Sequence, residues 1–394
     1  LREIDGVPEG LLHKFVDPEF ISRYYMEENR KAVDSLGLGV DWRREFYTTS
    51  LHPWFSRFIE WQYLRLRELG YVVQGTHPVV WCPVCESPTG DHDRLEGEGV
   101  VPEELVLVKF RLGDVSLVAA SLRPETLFGC TNVWLNPGAD YVEVVVGGER
   151  WVVSRRCAEK LREQRDDVKA SKTVSAADFM GRRCVVPLTD AEVLILPATL
   201  VNPNVATGVV YSVPAHAPYD LAGLEDLKRK PQVLAAYGVD VAEVQSIQPI
   251  SLIRVEGLGD FPAVHVNEQL GVVNQSDPKL EEATKIVYSK EFHGGVTKEI
   301  CGEFAGLSVA EARDAVKQRL IETGLGDTMF ELPERVVCRS GDECVVRVLR
   351  DQWFLDYSNP DWKARVKEHL ATMNIYPEEA RPWFVNVIDW YREW

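Results

Sequence analysis

The sequence predicts an α/β chain interrupted by a mainly β, barrel-like α+β domain. Three observations point there. Residues 1–80 and 351–394 carry amphipathic helical patterns, and the first of these segments adds short strands. Residues 105–335 are rich in short β-branched runs and glycine turns instead. Two cysteine pairs, Cys82/Cys85 and Cys338/Cys344, bracket that middle stretch. The expected order is 1–80, half of a cysteine ribbon at 81–104, the inserted domain at 105–335, the other ribbon half at 336–350, and a return to the first domain at 351–394.

Composition narrows the classes. A chain of 394 residues exceeds one ordinary core. Its 45% apolar and 27% charged residues are those of a globular protein. No run of ~18 apolar residues suggests a membrane span, and no basic-then-apolar leader opens the sequence. With eight cysteines and no leader, the expected compartment is the reducing cytoplasm. A net charge of −17 argues against indiscriminate nucleic-acid binding and leaves room for a local basic groove. Residue 1 is Leu, and ARPWFVNVIDWYREW (Ala380–Trp394) reads as an apolar helix with no stop signal. Both features suggest a piece of a longer protein.

Taken in order, Asp17-Pro18 reads as a helix cap and a first-turn proline. Ile21, Tyr25, Ala32 and Leu36 lie on one face, and Gly37 ends the helix. VDWRREFYTTS (Val40–Ser50) is a polar connection. A second helix follows Pro53, with Phe55, Phe58, Ile59, Leu66 and Leu69 inward and Gly70 as its stop. Tyr71–Val73 and Val79–Trp81 read as short strands. Within the insertion, Val115–Leu122, Val193–Ile195 and Val209–Val213 read as strands, and Tyr141–Val146 with Arg150–Ser154 as a glycine-turn hairpin. Ser308-x-x-Glu311 is a capping box for a helix carrying Val309, Ala312, Val316 and Leu320. Helices are expected to be few in this part.

Three stretches carry candidate chemistry. In ATGVVYSVPAHAPYDLAGLEDLKRK (Ala206–Lys230), Pro214 ends a strand and Leu221, Leu224 and Leu227 recur at helical spacing after Pro218. His216, Tyr219 and Asp220 thus fall where strand hands over to helix, a common place for open polar side chains. Asp220 equally suits the positive end of a helix, worth roughly 0.3–1 kcal/mol, and His216 suits a satisfied loop histidine. ASLRPETLFGCTNVWLNP (Ala120–Pro137) reads as a strand end and a proline-started turn stopped by Gly129, with Ser121, Arg123, Glu125 and Thr126 outward. Cys82-Pro83-Val84-Cys85 has the spacing that lets two thiolates reach one tetrahedral zinc, and Cys338 and Cys344 could complete the site. Free thiols satisfy the same pattern. No glycine-rich phosphate loop, HEXXH or GxSxG occurs.

Together, SLRPETLFG and GVVYSVPAHAPYD inside a β-rich insertion resemble the editing domain of class I aminoacyl-tRNA synthetases of the leucine, isoleucine and valine group. VDWRREFYTTS, GDHDR, GLEDLKRK, GDFPAV and DECVVRVLRDQWFLDYSNPDWK narrow the resemblance to the archaeal and eukaryotic cytosolic leucyl type, over essentially the whole chain. RPET does not discriminate, because the valine enzymes share it. QWFLDYSNPDWK and APYD favour leucine.

The resemblance implies a partial Rossmann-type catalytic domain carrying a complete editing insertion. It implies ligation of leucine to its tRNA with ATP and Mg²⁺ and hydrolysis of mischarged tRNA; zinc rests on the cysteine spacing alone. Partners would be tRNA(Leu), leucine and noncognate amino acids, for a monomer with no membrane association. Asp220 would hold the α-ammonium, Thr126 would crowd out the leucyl side chain, and Ser121 and Arg123 would line the ester and terminal adenosine. Ser121 stands where threonine is common. His216 and Tyr219 would shape the loop. Asp41 would grip leucine in the synthetic site, although a turn aspartate fits it as well. The HIGH-type and KMSKS-type words that bind ATP phosphates are absent from these residues, so no aminoacyl-adenylate synthesis is expected of this chain alone. A valine or isoleucine editor and a non-catalytic tRNA-binding module are the alternatives.

Overall fold

Strand alternation builds two cores from one strand. In the computed structural model, which describes residues 1–3 and 5–393, the run EELVLVKFRL forms the strand Glu103–Leu112. Val106, Val108, Phe110 and Leu112 enter one core, with Leu117, Leu127, Tyr211 and Leu320. Leu105 and Leu107 enter the other, with Val118, Val144, Trp151 and Leu161. A strand covered on both faces reads as a continuous apolar run, as this one does.

The sheet grows from that strand. One edge pairs antiparallel with Val115–Ser121, from Val106↔Ser121 to Leu112↔Val115. The other edge takes Gly326–Glu331 along its first half and touches Arg183–Val185 only at Val185↔Arg111. Beyond Val115–Ser121 lie the Tyr141–Val146/Glu149–Ser154 hairpin and Val168–Val174. Beyond Arg183–Val185 lie Glu192–Pro197, Asn132–Leu135 and Val209–Ser212. The ten strands form an open mixed sheet: among the described residues no ladder joins its ends, Val168–Val174 and Val209–Ser212. The barrel-like expectation is corrected accordingly.

The scarcity of helices is corrected too. From Pro218 to Glu322 the chain is largely helical, including Pro218–Lys228, Pro262–Leu270, Lys279–Gly294 and Val309–Glu322. Lys279–Gly294 shows why the pattern was faint. It buries Leu280, Ala283, Val287 and Glu291, a thin stripe in a polar run whose last member is a carboxylate. The Ser308–Glu311 capping box forms as expected, and Val309, Ala312, Val316 and Leu320 are buried.

The chain divides into two compact units, residues 1–75 with 351–394, and residues 76–350. In the first, Asp17 caps the helix Pro18–Ser35 by accepting from the Glu19 N–H, and Gly37 and Gly70 take positive φ after the two helices. The expected inner face of Pro53–Glu68 is not buried; Phe58 and Ile59 are exposed. The two short strands are one, Val72–Cys82. It is the middle strand of three, between Val345–Leu355 and Ser87–Pro88, and the latter pairs at Trp81 and Cys82, beyond Pro78. The last helix, Arg381–Trp390, stops before the terminus, and Glu393 bridges to Asp356. No helix among the described residues is long and apolar enough to cross a membrane.

Gly129 closes the turn Pro124–Gly129 for a reason other than backbone freedom. A Cβ there would strike Leu252 and lie 3.0 Å from Val213 and 3.2 Å from the Ile250 carbonyl. Overpacking of this kind costs about 1–3 kcal/mol, so Gly129→Ala is expected to lower the unfolding free energy by that amount, read as a lower urea midpoint at unchanged m-value.

Candidate functional site

The strand end and the proline-started turn meet the strand Val209–Ser212 through hydroxyl groups. The carbonyl of Arg123 accepts from the Thr126 N–H at 3.0 Å and from the Thr126 hydroxyl at 2.7 Å. Tyr211 Oη lies 2.9 Å from the same carbonyl, 3.0 Å from Ser121 Oγ and 3.2 Å from Thr126 Oγ1. Ser121 Oγ also accepts the Arg123 N–H at 2.9 Å. Tyr211 sits in its strand opposite Val133, which aims the phenol at the turn. Sequence reading treated Tyr211 as a strand residue only.

Asp220 stands in the first turn of Pro218–Lys228 and is 7% exposed. Its Oδ2 accepts the Val213 N–H at 2.8 Å. Burial pushes its pKa up to about 7, against the opposing pull of that N–H and of the Trp134 indole. The indole N–H is buried and has no hydrogen bond of ordinary geometry, so its effect is that of a nearby dipole.

A second network supports the turn. Arg123 donates from Nε to Glu125 at 3.1 Å and from Nη2 to Glu291 at 2.6 Å, with its guanidinium 4.4 Å above the Tyr288 ring. Burial opposes the charge of Arg123, but the two carboxylates hold its pKa above the usual range. Burial also raises the pKa of Glu125, against the Arg123 charge. His216 is fully buried; its Nε2 accepts the Leu252 N–H at 3.0 Å, and Nδ1 lies 2.6 Å from Glu291. That assigns the ring proton to Nδ1.

Ser121, Arg123, Thr126, His216, Tyr219 and Asp220 all line one cavity of about 510 Å³. Four side chains, Glu125, Thr126, His216 and Asp220, are buried where the open reading had them outward. Glu125 and Thr126 are buried rather than outward, because the turn packs down through the fully buried Leu127, and His216 is internal rather than open. Tyr219 remains exposed. Tyr211, Tyr288 and Glu291 were not legible as site residues. The last two lie in a helix that carries no motif.

Asp41 belongs to the other unit and is exposed; its carboxylate accepts from the Arg43 N–H, Nε and Nη2, which lower its pKa. Among the cysteines, the sulfurs of Cys82, Cys85 and Cys338 and a carboxylate oxygen of Asp342 lie within 4.8 Å of one another. Cys344 is not in this group. CRSGDEC turns back on itself, with the Cys338 N–H on the Asp342 carbonyl at 2.9 Å, so Asp342 comes beside Cys338 while Cys344 passes on to lie by Thr89. Three thiols and a carboxylate at this spacing suit a tetrahedral cation. The Ser340 hydroxyl reaches Cys85, Cys338 and Asp342 at 3.1, 2.9 and 2.6 Å, in the middle of the donor set.

Comparison with known proteins gives the family. Residues 16–394 match the family described as tRNA synthetases class I (I, L, M and V). A leucine–tRNA ligase of Methanothermobacter thermautotrophicus is 48% identical over 394 residues, which are 100% of this chain and 42% of that protein. One of Methanopyrus kandleri is 50% identical over 396 residues, with 100% and 42% covered. The chain thus spans less than half the length of these curated relatives. The crystal structure of GlLeuRS-CP1 has a TM-score of 0.52 at 25% identity, covering 59% of this chain and 100% of that one. The P. knowlesi cytosolic leucyl-tRNA synthetase editing domain gives 0.53 at 21% identity, covering 58% and 97%, a likeness of fold.

The Asp220 pKa sets a stability test. Held near 7 in the fold against an ordinary 3.8, this carboxyl keeps its proton longer when folded than when unfolded. Its contribution to stability therefore falls as pH rises from about 4 to about 7 and stays lost above that. Asp220→Asn is expected to gain up to roughly 4 kcal/mol over the parent at pH 8 and nothing at pH 4, by urea midpoints at the two pH values.

Proposed function

Since the chain belongs to the class I tRNA synthetases of the I, L, M and V group, we propose that it is the editing-bearing part of a leucine–tRNA ligase. In this reading the cavity hydrolyses tRNA(Leu) carrying a wrong amino acid. One observation carries the reading: a buried carboxyl, Asp220, and a threonine with a committed hydroxyl, Thr126, face the same cavity. One methylene in an apolar pocket is worth only about 1–3 kcal/mol, a figure established on synthetases themselves, so a second sieve is needed for such amino acids.

The residues divide the work. An α-ammonium beside Asp220 offsets the cost of ionising a buried carboxyl, and near pH 7 its arrival releases part of a proton. The Thr126 hydroxyl is spent on Arg123 and Tyr211, which leaves its methyl to crowd the acyl side chain. Ser121 Oγ accepts the Arg123 N–H and lies 3.0 Å from Tyr211 Oη, and with the single phenol proton turned toward it the serine keeps its own proton to give. It can donate to the ester carbonyl as charge gathers there, a contact worth about 2.7–4 kcal/mol in comparable sites. Water adds to the carbonyl carbon, the bond to the ribose oxygen breaks, and that oxygen takes a proton. His216 and Tyr219 fix the loop that presents Asp220. Deacylation of isoleucyl- or norvalyl-tRNA(Leu) is expected of the chain. Asp220→Ala is expected to slow it by about 100-fold or more, and Thr126→Ala to make leucyl-tRNA(Leu) a substrate. Unchanged hydrolysis by the Asp220 variant overturns the assignment.

Ligation of leucine with ATP and Mg²⁺ is the activity of the longer protein, where Asp41 would receive the leucine ammonium in exchange for Arg43. Residues 1–80 and 351–394 are its catalytic-domain portion, and monomeric, cytoplasmic operation accompanies this reading.

Zinc is assigned to Cys82, Cys85 and Cys338, with Asp342 in place of Cys344. The ion would supply a structural tie between the two turns and no step of the reaction. Metal analysis is expected to find about one zinc per chain, lost in Cys85→Ser and lowered in Asp342→Ala. A metal-free native protein overturns this assignment and leaves the editing reading standing.

A further inference from the structure

Helix Lys279–Gly294 contributes to no motif, yet it clamps the charged side of the cavity. Tyr288 and Glu291 stand three residues apart on one face of it. The Arg123 guanidinium sits over the Tyr288 ring, and Glu291 takes one Nη2 hydrogen of it. The other carboxylate oxygen of Glu291 takes the His216 Nδ1 proton, while His216 Nε2 is held by the Leu252 N–H. Glu291 is fully buried. A buried charge is a poor way to hold a helix in place, because apolar packing does so at lower cost. Here the charge fixes two polar side chains of the cavity at once.

We infer that Glu291 is a positioning residue for hydrolysis at this site: it orients Arg123 toward the acyl ester and, through His216, sets the loop that carries Asp220. The inference rests on the editing reading. Arg123 spends Nε and one Nη2 hydrogen on its two carboxylates, so its remaining N–H donors keep a fixed direction. Glu291→Gln keeps the volume but offers only one acceptor for two donors. The amide must therefore oppose either Arg123 or His216. Glu291→Asp keeps the charge and loses a methylene.

The two variants separate positioning from packing. Steady-state deacylation of isoleucyl-tRNA(Leu) is measured for each, with Tm alongside. For E291Q we expect kcat to fall roughly 10–100-fold with KM nearly unchanged, and E291D to retain more kcat than E291Q. A packing role gives the reverse ranking, E291Q near the parent and E291D worse, and overturns the inference. If E291Q does not fold, E291D alone decides. A lowered kcat at constant KM supports positioning, and an unchanged kcat overturns it. A parent chain that hydrolyses no mischarged tRNA overturns the editing reading itself, a different result from any variant ranking.

Discussion

The phenol of Tyr211 is where two distant stretches become one site. By reaching the Arg123 carbonyl and lying within hydrogen-bond distance of Ser121 and Thr126, it locks the turn after one strand onto the face of another. Each of the three side-chain oxygens then has a restricted direction. Tyr211 has one proton to give and several neighbours to receive it, so the group is held by geometry more than by any single bond. Without that closure Thr126 would be held only within its own turn, by the Arg123 carbonyl, and nothing polar would tie that turn to the strand Val209–Ser212.

Electrostatics sets what such a cavity can welcome. Among its lining residues the guanidinium of Arg123 is already matched by Glu125 and Glu291, and beside it Asp220 is a buried acid with a single strong donor. A phosphate finds no spare positive charge there. An ammonium finds a carboxyl that gains from ionising beside it. The overall charge of −17 agrees with recognition by a small local group rather than by a basic face.

The sequence disclosed the site in part. Ser121, Arg123, Thr126, His216 and Asp220 lie in two short words whose strand-to-turn character was legible from proline, glycine and β-branched residues, and they do share one lining. What could not be read was direction. Thr126 and Glu125 look like outward polar residues in a turn until Leu127 is seen to draw the turn inward. Glu291 is a glutamate in a polar helix, and only its two partners, Arg123 and His216, give it meaning. Likewise, spacing named Cys344 as a ligand. The tight return of CRSGDEC groups Asp342, and not Cys344, with the other three. Open versus closed sheet was equally hidden, since register at Val185↔Arg111 hangs on one residue pair.

The shared strand Glu103–Leu112 has a consequence for how molecules enter. Because its alternate side chains root both cores, neither layer can breathe alone without exposing the other. The sheet is therefore the rigid floor of the cavity. The mouth of the cavity falls to the helical side, where Tyr219 and Tyr288 meet solvent, so its width is set by where those helices lie and not by the sheet.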